Sequence, residues 1–150
     1  MGTPIKVTVI GAGSVVFSLA LVKDICLTEG LGGSHITFMD IHEGRLNAIY
    51  NLATRFGEDL GSDLTFSKTL NRQEALQDAD FVVNTATGTD EYMMRAEREL
   101  ADARGYYYGR TGLPYSVTGN IQLMLSIAQD MERICPDAWI VQAGNPVFDG

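Results

Sequence analysis

The chain has 150 residues, 45% hydrophobic and 20% charged, the size and balance of one ordinary globular domain able to bury its own core. Its formal charge of −8 argues against nucleic acid or an anionic membrane surface as the main partner. No apolar run approaches the roughly 18 residues of a membrane span. The apolar stretch Ile5–Ile10 is too short for a signal peptide and stops at a glycine, so the expected location is the cytoplasm.

Ile5–Ile10 is rich in β-branched residues and predicts a buried strand. It runs into Val7-Thr-Val-Ile-Gly-Ala-Gly-Ser-Val-Val-Phe17, which carries two glycines of the pattern G-x-G-x-x-G but Val16 in place of the third. Ser14 to Leu27 predicts a helix with Phe17, Leu21 and Ile25 on one face, and Glu29–Gly33 a loop. His35–Asp40 predicts a second strand that ends in an acid. Leu46, Ile49, Tyr50, Ala53, Phe56 and Leu60 recur at helical spacing and predict an amphipathic helix from about Glu43 to Leu60. Leu64–Ser67 reads as a short strand. Asn71 caps a short helix to Leu76, with Glu74 at its third position. Ala79–Asn84 is the fourth strand, and a polar helix follows over about Asp90 to Arg104. Gly105–Ser116 reads as an aromatic, glycine-rich loop. Thr118 is the expected cap of a helix to Ile134, with Ile121, Met124, Leu125, Ala128 and Met131 facing inward. Ala138–Gln142 is the last strand, followed by Gly144-Asn-Pro-Val-Phe-Asp-Gly150. Cys26 and Cys135 lie far apart in apolar helical settings, where core packing is the expected role, ahead of a disulfide or a reactive thiol.

Strands alternate with helices throughout. That pattern predicts an α/β fold: a doubly wound, Rossmann-like parallel sheet, in the order 3-2-1-4-5, with helices on both faces. The strand–glycine–helix context gives the glycines a mechanism. Gly11 permits the tight turn, and Gly13 lets a pyrophosphate approach the backbone. The following helix N-terminus offers free N–H groups and a favourable dipole, and Ser14 adds a hydroxyl. Asp40 stands where an acid meets the adenosine ribose and repels a 2′-phosphate, so NAD is expected over NADP. Arg45 nearby reads as a solvated helix charge, with a 2′-phosphate contact as the lesser alternative. Asn84-Thr-Ala-Thr-Gly88 ends the fourth strand at the same edge, where its polar groups serve either the nicotinamide ribose or loop capping.

Four stretches, in order, then resemble the family-four glycoside hydrolases, the NAD- and metal-dependent α-glucosidases, α-galactosidases, α-galacturonidases and 6-phospho-glycosidases. They are Val9-Ile-Gly-Ala-Gly-Ser-Val-Val-Phe-Ser18, Phe38-Met-Asp-Ile-His-Glu-Gly-Arg-Leu46, Ala79-Asp-Phe-Val-Val-Asn-Thr-Ala86 and Ala138-Trp-Ile-Val-Gln-Ala-Gly-Asn-Pro-Val-Phe148. The α-glucosidase/α-galacturonidase branch is the most similar. The resemblance accounts for Val16, because this family's turn is Gly-x-Gly-Ser without the third glycine. It implies NAD binding through Gly11, Ala12, Gly13, Ser14, Val15, Phe17, Asp40, Asn84, Thr85 and Ala86, and substrate contact through Asn145.

The resemblance implies an uncommon route to glycoside hydrolysis. NAD takes hydride from the sugar C3, and a divalent metal such as manganese polarises the resulting ketone. The C2 proton is then removed, the aglycone leaves by elimination, water adds, and the hydride returns. The family's metal-binding cysteine and histidine and its tyrosine base lie beyond the Asn-Pro loop. Residues 1–150 therefore read as the NAD-binding domain, with no metal ligand and no catalytic residue assigned in them. The expectation is the N-terminal portion of a longer, oligomeric enzyme acting on a small glycoside.

One departure concerns the suspected general acid, an aspartate in the family's loop after the fourth helix. Gly105-Tyr-Tyr-Tyr-Gly-Arg-Thr-Gly-Leu-Pro-Tyr115 has no acid. Arg110 there is either a surface arginine or an attractor of an anionic sugar such as a uronate, and the tyrosines at 106–108 are loop anchors or a sugar platform. Two other readings share the architecture. One is the cofactor domain of a lactate/malate-type dehydrogenase, with Arg95 and Arg98 as candidate substrate readers. The other is a non-catalytic NAD-binding module.

Overall fold

The computed structural model describes residues 3–88, 91–106 and 114–144, save the side chains at 15, 16, 19, 91 and 114–117. Five parallel strands form one sheet: β1 (Lys6–Ile10), β2 (His35–Met39), β3 (Thr65–Thr69), β4 (Phe81–Asn84) and β5 (Trp139–Gln142). Their spatial order is β3-β2-β1-β4-β5, with Val9 level with Phe38 on one side and Val83 on the other. The expected doubly wound sheet and its strand order are both present. Reversal of direction at β1 opens a crevice at the carboxyl edge, between the connections that leave β1 and β4.

The helices are α1 (Val15–Leu27), α2 (Glu43–Asp59), α3 (Arg72–Leu76), α4 (Glu91–Ala103) and α5 (Pro114–Ile134), and a single 3-10 turn fills Glu29–Leu31, within the expected loop. Alternation along the strands sorts the core onto two faces. Val7, Val9, Ile36 and Phe38 meet Val22 and Ile25 of α1 and Leu46, Ile49 and Ala53 of α2. Ile10, Met39 and Val82 meet Ala75 and Leu76 of α3, Ile127 and Met131 of α5, and Cys135 just beyond its end. Burying a side chain such as Phe38 or Ile127 stabilises the fold by about 1.5–3 kcal/mol. Both cysteines are free; Cys135 sits in the second core and Cys26 packs at the margin of the first.

Thr8 lies on the second face and donates to the Ala75 carbonyl at 2.6 Å, which fastens α3 to the sheet. The start of α3 is capped as expected: Asn71 accepts from the backbone N–H groups of Gln73 and Glu74.

Helix α5 departs from the sequence reading. It begins at Pro114, so Thr118 lies inside it and is not its cap. Proline suits a first helical position because its missing N–H would have no intrahelical partner there. The inward face also differs. Asn120, Ile127, Asp130 and Met131 are buried, whereas Ile121, Leu125 and Ala128 are exposed. Apolar periodicity misses this face because two of its buried members are polar. Among the described residues no helix is long and apolar enough to cross a membrane.

Candidate functional site

The turn after β1 is held from three directions. Gly11 and Ala12 both donate their N–H to the Met39 carbonyl, at 2.9 and 3.0 Å. The Thr85 hydroxyl lies 3.0 Å from the Ile10 carbonyl and 2.9 Å from that of Gly11. The Ser18 hydroxyl donates to the Ala12 carbonyl from beneath. Gly11 has φ +80°, and a Cβ there would lie 2.5 Å from the Ala86 backbone nitrogen. Only glycine meets both constraints.

Asp40 is 8% exposed and completes the turn. Its Oδ2 accepts from the Gly13 N–H at 2.8 Å, and its Oδ1 from the His42 N–H at 2.8 Å. A Cβ on Gly13 would fall 2.8 Å from that Oδ2 and 2.9 Å from the Arg45 Cβ. The absent side chain is what lets the acid reach the loop. A carboxylate offers about four lone-pair positions, so acceptor capacity remains for a ligand hydroxyl.

A cavity of about 480 Å³ opens above this turn. Gly11, Gly13, Ser14 and Phe17 line one wall, Asp40, Ile41, His42 and Arg45 a second, and Thr85, Ala86 and Thr87 a third. Ile10, Met39, Leu123 and Arg72 complete it. Ser14 stands at the start of α1 with no side-chain capping bond and lines the cavity. The turn, the helix N-terminus, the buried acid and the apolar margins thus face one space. That space can take a polyphosphate at the helix end and a hydroxyl-bearing ring at the acid.

The expected cofactor residues separate into wall and support. Gly11, Gly13, Ser14, Phe17, Asp40, Thr85 and Ala86 line the cavity. Ala12 is fully buried beneath it. Asn84 is also 0% exposed, and its amide donates to Gln142 Oε1 at 2.8 Å while its Oδ1 accepts from the Ala86 N–H at 3.2 Å. Its geometry is that of a strut joining β4 and β5. The Val15 side chain, Asn145, Arg110, Tyr107 and Tyr108 fall outside the described residues. Tyr106 is exposed. Arg95 is largely exposed on α4 and pairs with Glu99 at 3.1 Å.

Several wall residues were not singled out as site residues from the sequence. Ile41 and His42 follow Asp40 directly, so position relative to the acid was the available signal. Leu123 and Arg72 carried no comparable local signal. Gly88, in the loop after β4, donates its N–H to Asn120 Oδ1 at 2.7 Å, and a Cβ on it would meet the Gly119 carbonyl oxygen at 1.9 Å. That loop is therefore pressed directly against the α5 backbone. Among the described residues no group of three or more His, Cys, Asp or Glu side chains could hold a metal ion.

Comparison with known proteins agrees with this architecture. The profile of the family described as "Family 4 glycosyl hydrolase" matches residues 6–150. An α-galactosidase of Bacillus subtilis (strain 168) is 29% identical over 149 residues, which cover 95% of this chain and 34% of the relative. A 6-phospho-β-glucosidase of Escherichia coli (strain K12) is 29% identical over 151 residues, covering 97% and 34%. The chain spans about a third of the length of these relatives. A crystal structure of a 6-phospho-α-glucosidase from gut microorganisms, in complex with NAD and Mn2+, superposes with a TM-score of 0.82 at 20% identity, covering 96% of this chain and 34% of that one. Malate dehydrogenase of Salinibacter ruber shares the fold more distantly, with a TM-score of 0.64 at 18% identity and coverage of 95% and 37%. With the profile matched from β1 to the end of the chain, this chain belongs to glycosyl hydrolase family 4.

Proposed function

We propose that this chain is the NAD-binding portion of a glycosidase that hydrolyses O-glycosidic bonds by NAD- and divalent-metal-dependent oxidation, elimination, hydration and reduction. One observation carries the cofactor part. Gly13 has no room for a side chain because Asp40 reaches across to its N–H, on the wall of a cavity at the carboxyl edge. That arrangement suits a dinucleotide, with pyrophosphate over Gly11–Ser14 and the adenosine ribose at Asp40. A bound NAD would supply a hydride acceptor for the sugar, and the chain's own residues would fix its position.

Ser14 and the free N–H groups of α1 would hold the pyrophosphate. Thr85 and Ala86 would border the nicotinamide half, with Asn84 holding their loop in place. Asp40 would accept from the ribose hydroxyls and disfavour a 2′-phosphate, which selects NAD over NADP. Gly144 supports the substrate role of Asn145. Its N–H donates to the Asn84 carbonyl at 2.9 Å, and a Cβ on it would fall 2.5 Å from the Ala86 carbonyl oxygen. The chain therefore reaches position 145 from beside the cofactor wall.

The metal ligands and the catalytic groups would lie in the portion of the relatives that this chain does not span. The exposed Trp139, at 72%, with Val141 beside it on the same strand, supports a further part packing on that face of the sheet. A small glycoside is the substrate class, and assembly into an oligomer would accompany the longer enzyme.

Calorimetric titration with NAD and NADP in parallel tests the cofactor reading. Tighter binding of NAD is expected. Binding of neither cofactor by the folded chain would overturn it.

A further inference from the structure

Arg72 opens α3, on the opposite side of the crevice from the glycine turn, and lines the same cavity. Its side chain is 26% exposed and is clamped from behind by α5. The Nε donates to Asp130 Oδ2 at 2.7 Å, and one Nη2 N–H goes to that same oxygen. Nη2 also donates to the Ser126 carbonyl at 3.3 Å, and Nη1 to the Ser126 hydroxyl at 3.0 Å. Asp130 is 4% exposed and is held on its other oxygen by Arg133. Burial alone would raise its carboxyl, but hydrogen bonds from Arg72 and Arg133, reinforced by their charges, outweigh that and hold it below the usual range.

These four bonds use all but one of the guanidinium's five N–H donors, leaving a single Nη1 N–H. They also fix the plane of the group. With most of its donors spent on α5, the group has chiefly its flat, weakly hydrated cationic face and aliphatic stem to offer a ligand, surfaces suited to an aromatic ring. The neighbouring wall beyond Asp40 is apolar: Ile10, Met39, Ile41 and Leu123. A ribose seated at Asp40 places its base in that region.

We infer that Arg72, oriented by Asp130 and Ser126, forms the adenine-facing wall of the cofactor site and takes the purine ring against its guanidinium face. The inference rests on the dinucleotide reading above. It gives the Arg72–Asp130 pair a role in binding beyond fastening α3 to α5.

The test measures Kd for NAD and for AMP with the wild-type chain, Arg72→Lys and Arg72→Met, with melting curves alongside. Lysine keeps a charge for Asp130 but loses the plane; methionine keeps a stem without charge. Both variants are expected to weaken NAD and AMP by the same factor, about fivefold, because the lost contact involves only the base. In the wild-type chain, AMP is also expected to shift the Arg72 Nε–H resonance through the ring current of the stacked purine, a readout that needs no substitution. A purely structural role would leave that resonance in place and the variants within twofold of wild type, and either result overturns the inference. A wild-type chain that binds NAD but shows no Arg72 response leaves the cofactor reading standing and removes this one. A folded wild-type chain that binds neither NAD nor AMP removes both.

Discussion

Replacing Asp40 separates the bracing of the glycine turn from the ribose contact proposed for the same carboxylate. Each oxygen accepts a backbone N–H, from Gly13 and from His42, both at 2.8 Å. A buried hydrogen bond to a charged group contributes about 1.5–3 kcal/mol, and an orphaned buried donor costs about 1–3 kcal/mol. Asp40→Ala removes both acceptors, and water can reach part of the vacated space, so a loss of about 3 kcal/mol is expected. Asp40→Asn keeps one oxygen but turns an amide N–H toward the other donor, for a loss of about 2 kcal/mol. At about 2–4 °C per kcal/mol for a chain of this size, the melting temperature should fall by about 6–12 °C and 4–8 °C respectively.

Urea unfolding without ligand and calorimetry with NAD and NADP read the two tasks independently. Both variants should bind NAD at least about tenfold more weakly. Asp40→Asn should also narrow the preference for NAD over NADP, because the repulsion of a 2′-phosphate is gone. If Asp40→Ala melts within 2 °C of wild type, about 0.5–1 kcal/mol on the same scale, the carboxylate does not brace the glycine turn. Its contacts with Gly13 and His42 would then have no energetic weight.

Gly11→Ala should destabilise more than Gly13→Ala, by about 3 against about 2 kcal/mol in urea unfolding. The first meets both a positive φ and the Ala86 backbone, the second only the Asp40 and Arg45 side chains. The His35 ring bridges Thr65 and Ser67 across β2 and β3, at 2.7 and 2.8 Å. Burial, with Lys6 adding repulsion, lowers its pKa. The unfolded chain therefore binds the proton more readily. Stability should fall as pH drops from about 6.5 to the lowered folded value and then level off; pH-dependent unfolding of His35→Gln should lack that step. Asp130 works at lower pH: its carboxyl is depressed, so its contribution is complete above about pH 3.9 and disappears as pH falls through the folded value. At neutral pH, Asp130→Asn should lose about 2–3 kcal/mol in urea unfolding, because Arg72 and Arg133 keep their charge without a counter-ion.

What could be read from the sequence follows from how far apart the interacting residues lie. β1, the glycine turn, α1 and β2 with its terminal Asp40 are local signals: β-branched runs, glycines at fixed offsets, and an acid at a strand end. The chain order of strands and helices, with the right-handed crossover rule, is enough for the sheet order. The start of α5 was missed because aromatics and glycines before Pro114 resemble a loop, although proline itself favours a first helical turn. Its buried face was missed for a different reason. Asn120 and Asp130 are polar, and their burial makes sense only with partners elsewhere in the chain, Gly88 for one and Arg72 for the other.

The same distinction explains the site. Asp40 stood out as a candidate site residue from its place after β2, but its bond to Gly13 joins residues 27 apart and depends on β1 lying beside β2. Asn84 carries the opposite lesson. A polar residue at a strand end invites a ligand-binding role, yet its amide is spent across the sheet on Gln142 and its carbonyl receives the N–H groups of Ala143 and Gly144. It shapes the site by fixing Thr85 and Ala86 on one side and Gly144 on the other. Replacing Asn84 with leucine, similar in size but unable to make these bonds, should therefore destabilise the chain before it weakens the cofactor. A variant that melted normally yet failed to bind NAD would place the Asn84 amide in the site itself.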